Sequence, residues 1–518
     1  MPILITALLL LGAAATLAIL RVLRPRFRFS WLLAITATTA SWLSVFLWMP
    51  QLPLSLAVPL WQSTASSNSF ASFAAGSLSW PYALSLVTLV LAVLLTAPAR
   101  PNFPSPSTWA LCLAVVGIGL LAAAAEGPLT LVLFWAGLDL VEAGIVLARG
   151  DNRSSSLQLT FAFTVRLSSA GLVLLALVLG SADDAGTGFT GMRGGSTLLL
   201  PAAALLRLAA FAIPWSSGAR SSRFDEVATT LHLTAGASAV AFLAQLAPEA
   251  YASSVALEVA CAVAALFGGW MWLRAPDAFM GRPLWIMGTC SLAVAAALRG
   301  NPIGATAWGN AMLLAGGALF LVAVNERWMN RFLLGAVWSY SALPMALTGA
   351  AWVGGGGTQD WILVAFLLAQ AMLLAGYFHR ALRPEIEPSS YIRVTSLRGI
   401  YRAGIALPVV VGLLLGLGGW PGAMQLGVPF AAGIVLLLAA ALAWAMLRFA
   451  SLSPVPTLWI PTAWGRFLAV AELETSRLQE GIRRGSATIT RTIEGEAGIL
   501  WSLLLLVLFV SLLVERGQ

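Results

Sequence analysis

Two carboxylates stand three residues apart in the run LTLVLFWAGLDLVEAGIVLA, Asp139 and Glu142. That spacing puts both on one face of a helix. A guanidinium sits inside each of the next two apolar runs, Arg166 in LTFAFTVRLSSAGLVLLALVL and Arg207 in LLRLAAFAIPWSS, and His232 and Glu258 follow in the two after those. Carboxylates and an imidazole can take up and release protons, whereas a guanidinium stays charged at any relevant pH. The chemistry open to such a set is a proton relay through an apolar medium. Asp139, Glu142, His232 and Glu258 would be the carriers, with Arg166 and Arg207 as fixed charges that tune them. The alternative use of the same charges is a buried ion cluster that fixes helix packing.

Depth decides whether the charges can meet. At about 1.5 Å of rise per residue, Asp139 and Arg166 lie roughly 12 to 14 Å from one end of their helices, and Arg207 is near the middle of its own. A lone charge at that depth costs on the order of 2.5 to 3.5 kcal/mol, which opposite neighbours offset. All 29 basic residues are arginine and none is lysine. Histidine aside, every buried cation is therefore one that cannot hand on a proton.

The elements that must position these residues follow from composition. With 59% hydrophobic and 10% charged residues among 518 and a mean hydropathy of +0.88, the chain reads as all-α and polytopic in a membrane. Apolar runs begin at Ile3, Trp31, Tyr82, Trp109, Leu129, Leu157, Leu198, Val227, Ala252, Leu284, Ala305, Phe332, Trp361, Ile405, Val428 and Ile499, predicting about 16 transmembrane helices. Leu284–Leu298 and Ile405–Leu417 are short unless their flanks join the helix. With the N-terminus outside, 24 arginines fall on the cytoplasmic side, three outside (Arg193, Arg299, Arg516) and two within the membrane. This obeys the positive-inside rule and puts both termini outside. The net charge of +8 is then a topology signal, and no nucleic-acid partner is implied. Ile3–Leu20 lacks a basic segment before it and is expected to be a retained first span. Cys112, Cys261 and Cys290 lack metal-ligand spacing and read as small core residues.

Two connections are long. Gln51–Trp80 is expected outside, as a hairpin or a loop with equal weight, and 448–498 is expected to carry an amphipathic helix on the cytoplasmic surface before the last span. Pro214 in FAIPWSS and Pro344 in SALPMALTGA each interrupt a run near the middle of a five-helix group. Paired helix breaks point to internal repeats. The division expected is 1–108 (three helices and an outer loop), 109–246 and 247–398 (two inverted five-helix repeats), and 399–518 (the C-terminal helices). From Leu284 to Leu447 no expected span contains Asp, Glu, His or Arg, and its polar groups are residues such as Asn310, Tyr340, Ser341, Thr348 and Gln370.

The segments LTLVLFWAGLDL, LLRLAAFAIPWSS with VATTLHLTAGASAVAFLAQLAP, and LPMALTGAAWVG resemble three signatures of a family. It is the family of antiporter-like proton-translocating subunits of respiratory complex I, membrane-bound hydrogenases and Mrp antiporters. The resemblance covers about Trp109 to Val353. It implies a glutamate after Phe134 and Trp135, where Ala136 stands, with Asp139 and Glu142 as substitutes one turn on. It matches Arg207 to a lysine before the first break and His232 to a histidine early in the eighth helix. Lysines implied in GNAMLLAGGALFLV and after Gly349 are missing, so alternating protonation of glutamates and lysines cannot operate unchanged.

The reading is therefore a divergent, non-catalytic subunit of a redox-driven complex similar to NADH-quinone oxidoreductase, in a bacterial inner membrane. It has membrane-subunit, lipid and proton partners, no cofactor and no metal, and proton translocation that is partial or lost. Two alternatives stand beside it: a non-conducting scaffold, and the membrane subunit of an inorganic-carbon uptake system working with a zinc-containing soluble partner.

Overall fold

A computed structural model describes residues 2–24, 27, 29–58, 71–99, 105–148, 153–182, 188–192, 196–212, 226–246, 254–276, 278–322, 327–352, 360–382, 395–418, 420 and 429–448. The chain divides into two compact units, Met1–Ala450 and Ser451–Gln518. The second, with the expected amphipathic helix and last span, lies outside the described residues.

Among the described residues, fifteen α-helices fall on the first fifteen apolar runs. They are α1 (Pro2–Leu23), α2 (Ser30–Phe46), α3 (Trp80–Thr96), α4 (Pro106–Ala123), α5 (Pro128–Ala148), α6 (Arg153–Ala182), α7 (Ser196–Ala209), α8 (Glu226–Ala241), α9 (Val255–Arg274), α10 (Ala278–Leu298), α11 (Pro302–Phe320), α12 (Arg327–Ser339), α13 (Asp360–Ala381), α14 (Thr395–Leu417) and α15 (Pro429–Arg448). Eleven of the described helices are long and apolar enough to cross a bilayer. The chain is a multi-pass membrane protein. The two short runs are lengthened by their flanks, since α10 starts at Ala278 and α14 at Thr395.

Helices that are apolar on every side belong in the interior. The span through α8 is buried along its whole length, and α11 nearly so, whereas α1, α2 and α6 leave one side exposed. α8 packs against α4, α10 and α11, and so joins helices from earlier and later in the chain. Close approach uses glycine: a Cβ on Gly268 of α9 would stand 2.8 Å from the backbone of Gly288 in α10.

The 51–80 connection contains an antiparallel pair, β1 (Leu54–Val58) and β2 (Ala71–Ala75), with Leu56 opposite Phe73. Its outer edge is not left open. Ala74 N donates to Ala124 O at 2.8 Å and Glu126 N to Ser72 O at 3.0 Å, which ties the strand pair to the α4–α5 connection.

Proline alone does not break these helices. Pro201, Pro283 and Pro408 lie inside α7, α10 and α14, which continue through them. Of the two expected breaks, Pro214 lies outside the described residues; the described chain shows α7 ending at Ala209 and passing into a 3-10 turn, Ala210–Ala212. At the second, α12 stops at Ser339, ahead of Pro344. Ala342 (φ 58°) and Met345 (φ 64°) turn the backbone into the left-handed region. Thr348 replaces the lost helical bonds: its Oγ1 donates to Ser339 O at 3.0 Å and accepts from Ala342 N at 2.9 Å.

Candidate functional site

α5 turns a stripe inward through Trp135, Leu138, Asp139, Glu142 and Ile145, and an apolar stripe outward. Ala136, where the resemblance implies a glutamate, is on the exposed side. The acidic groups of this chain therefore lie on the inner face of α5, across from the position the family pattern names.

Four charges meet there. Arg207 of α7 grips Asp139 with both ends of its fork, Nη2 to Oδ1 at 2.7 Å and Nη1 to Oδ2 at 3.1 Å. Arg166 of α6 donates through Nη1 to Glu142 Oε2 and lies 3.6 Å from Asp139 Oδ1. All four residues are buried. Two guanidiniums against two carboxylates make a cluster with no net charge, the condition under which ions are tolerated in an apolar interior. Three helices are joined by it, so α5, α6 and α7 are held by charge as well as by packing.

The cluster has one further support and one open point. The Trp135 ring lies under Arg207, 4.4 Å from the guanidinium carbon to the ring centre, and Trp135 O receives Arg207 Nη2 at 3.5 Å. Trp135 Nε1 donates in turn to Ser238 O of α8 at 3.3 Å. Glu142 Oε1 is buried and has no hydrogen-bond partner among the described residues. Its carboxylate is thus bonded on one oxygen only.

The structure brings Asp139, Glu142, Arg166 and Arg207 together as the sequence predicts. His232 and Glu258 are outside that set of ion pairs. His232, buried on α8, has its ring edge-to-face with Phe211 at 5.9 Å, on the 3-10 turn that follows α7. Glu258 lies in the first turn of α9, where Arg299, just past the end of α10, acts on it electrostatically.

Residues that the sequence reading passed over also stand here. Arg282 is buried in α10 and donates to Thr229 Oγ1 of α8, one turn from His232. It was hidden because it precedes Pro283 at the edge of an apolar run. The expectation that the later spans hold no ionisable group is corrected at the helix ends. α12, α13 and α14 extend past their apolar cores to include Arg331, His379, Arg380, Arg398 and Arg402. Arg380 is buried, donates through Nη2 to Trp272 O at 2.7 Å and Ala275 O at 2.8 Å, and lies over the Trp272 ring at 3.6 Å. A cation that caps the last carbonyls of α9 in this way is a structural clamp.

Among the described residues, the middle of this later half is uncharged and aromatic. Trp285 and Trp308 flank Tyr340 at centroid distances of 4.9 and 5.0 Å. The contacts continue to Trp272 at 5.6 Å and Phe320 at 5.9 Å on one side, and to Trp352 at 5.6 Å and Phe366 at 5.9 Å on the other. Tyr340 and Thr289 share a hydrogen bond at 3.0 Å, and Gln370 joins Trp352 Nε1 (3.0 Å) to Tyr340 O (3.3 Å).

This arrangement has parallels in solved structures. A chain of the Mrp complex from Dietzia sp. DQ12-45-1b superposes with a TM-score of 0.67 at 15% identity, over 100% of this chain and 63% of that one. A chain of respiratory complex I from Thermus thermophilus gives 0.62 at 17% identity, over 86% and 99%. A chain of the membrane-bound sulfane sulfur reductase, an archaeal respiratory membrane complex, gives 0.60 at 14% identity, over 98% and 99%. The chain shares their fold. It spans about 63% of the length of the Dietzia chain. No family model matches the sequence, and no curated protein matches it.

Proposed function

We propose that the chain is an antiporter-like membrane subunit of a multi-subunit energy-converting complex, and that proton handling is confined to the part around α5–α9. The carrying observation is the neutral four-charge cluster of Asp139, Glu142, Arg166 and Arg207 in a fold similar to chains of Mrp, complex I and sulfane sulfur reductase. Glu142 is the carboxylate suited to carry a proton. Its Oε1 can be protonated while Oε2 keeps Arg166. Asp139 is held on both oxygens and serves as the anchor of Arg207. His232 and Glu258 extend the path toward either surface in this reading. The two five-helix repeats, 109–246 and 247–398, the bacterial inner membrane and the outward termini belong to the same reading and rest on the arginine distribution and the paired interruptions.

The scaffold reading draws on a separate observation, the uncharged aromatic interior of the later half. Purification of the full chain from its source membrane in mild detergent tests the assignment. Co-isolation of redox or antiporter subunits is expected. A chain isolated without membrane partners would overturn the reading, and a zinc-containing soluble partner would replace it with the inorganic-carbon alternative.

A further inference from the structure

The aromatic contacts of the later half form one connected column. Along α11 it runs from Phe320 to Trp308, 12 positions, or about 18 Å of helix at 1.5 Å per residue. That is more than half of a hydrocarbon core about 30 Å thick. Every ring in it is buried, and the interrupted segment after α12 supplies Tyr340 and Trp352, the links between α10, α11 and α13.

Proton movement needs a chain in which each group both donates and accepts, filled with water or titratable side chains. Six of the seven rings have no group that does both, and Tyr340 alone carries a hydroxyl that can. Trp285 Nε1 and Trp308 Nε1 are buried donors that have no partner among the described residues, and an indole has no acceptor to return. Tyr340 is occupied by Thr289, and Trp352 by Gln370. Apolar constrictions of this kind exclude water by dewetting.

We propose that the column is a permeability seal, which keeps the later half closed to protons in a chain whose relay lies in the other half. The proposal rests on the functional reading above only for its purpose; the closure itself can be measured whatever the partners are. Cys290 is a built-in reporter: it is buried in α10 beside Thr289, the partner of Tyr340, with its Sγ toward Gly236 O at 3.6 Å.

The test uses the purified full-length protein with its copurifying partners in proteoliposomes, with Cys112→Ala and Cys261→Ala leaving Cys290 as the only thiol. A small water-soluble methanethiosulfonate is the probe, read by mass spectrometry, and passive proton leak is followed with an entrapped pH dye. The parent is expected to stay unlabelled and to leak no faster than protein-free liposomes of the same lipid. Trp308→Ala with Tyr340→Ala should speed labelling at least tenfold and raise the leak, while Trp308→Phe should match the parent. Rapid labelling of Cys290 in the parent overturns the seal whether or not any variant folds. So does a folded double variant that labels and leaks at the parent rate. Failure to find partner subunits would leave these outcomes unchanged and would count against the functional reading alone.

Discussion

Arg207 gives its fork to Asp139 and its flat face to Trp135, and a lysine could do only part of either. Arg207→Lys should therefore weaken the cluster despite conserving charge, lowering the thermal midpoint in detergent by several degrees. Asp139→Asn leaves a buried guanidinium without its counter-charge and is expected to cost about 3–5 kcal/mol. The pair Asp139→Asn with Arg207→Met should cost less than Asp139→Asn alone, a sign that a thermal denaturation series can read directly. The four charges were legible from the sequence because helical spacing and depth both placed them at one level. Trp135 was not, since an aromatic beside a charge looks like any core residue until the stacking is seen. Arg282 and Arg380 were missed because they sit at the margins of apolar runs, where a charge normally signals the end of a span.

At the scale of the element, the second helix interruption is held by Thr348 more than by Pro344. Three other prolines sit within unbroken helices, and the break starts at Tyr340, ahead of the proline. Thr348→Val removes the two side-chain bonds, to Ser339 O and from Ala342 N, and should destabilise the segment by about 1–3 kcal/mol. Hydrogen exchange of amides 340–352 should then quicken, while Pro344→Ala should leave it nearly unchanged. Gly268→Ala should push α9 from α10, since its methyl would meet backbone that cannot rotate away. The helices themselves were legible because apolar length fixes them. Why a helix breaks was less so: the proline marks the neighbourhood, but the backbone turn depends on Ala342 and a threonine six residues later.

Across the whole molecule the two halves are built on different chemistry. One joins α5, α6 and α7 through paired ions with a carboxylate oxygen left unbonded; the other fills its interior with rings and confines charge to helix ends. The sequence foretold this asymmetry through its distribution of ionisable residues, though not the aromatic column, because tryptophans in three separate helices and one interrupted segment carry no signal of meeting.

The most direct measurement is coupled proton movement in sealed vesicles carrying the assembled complex, compared between the parent and Glu142→Gln. Glutamine keeps an oxygen for Arg166 but cannot carry a proton at the vacant position. An intact complex whose coupled proton movement falls at least tenfold is expected. Full proton movement by an assembled Glu142→Gln complex would contradict it.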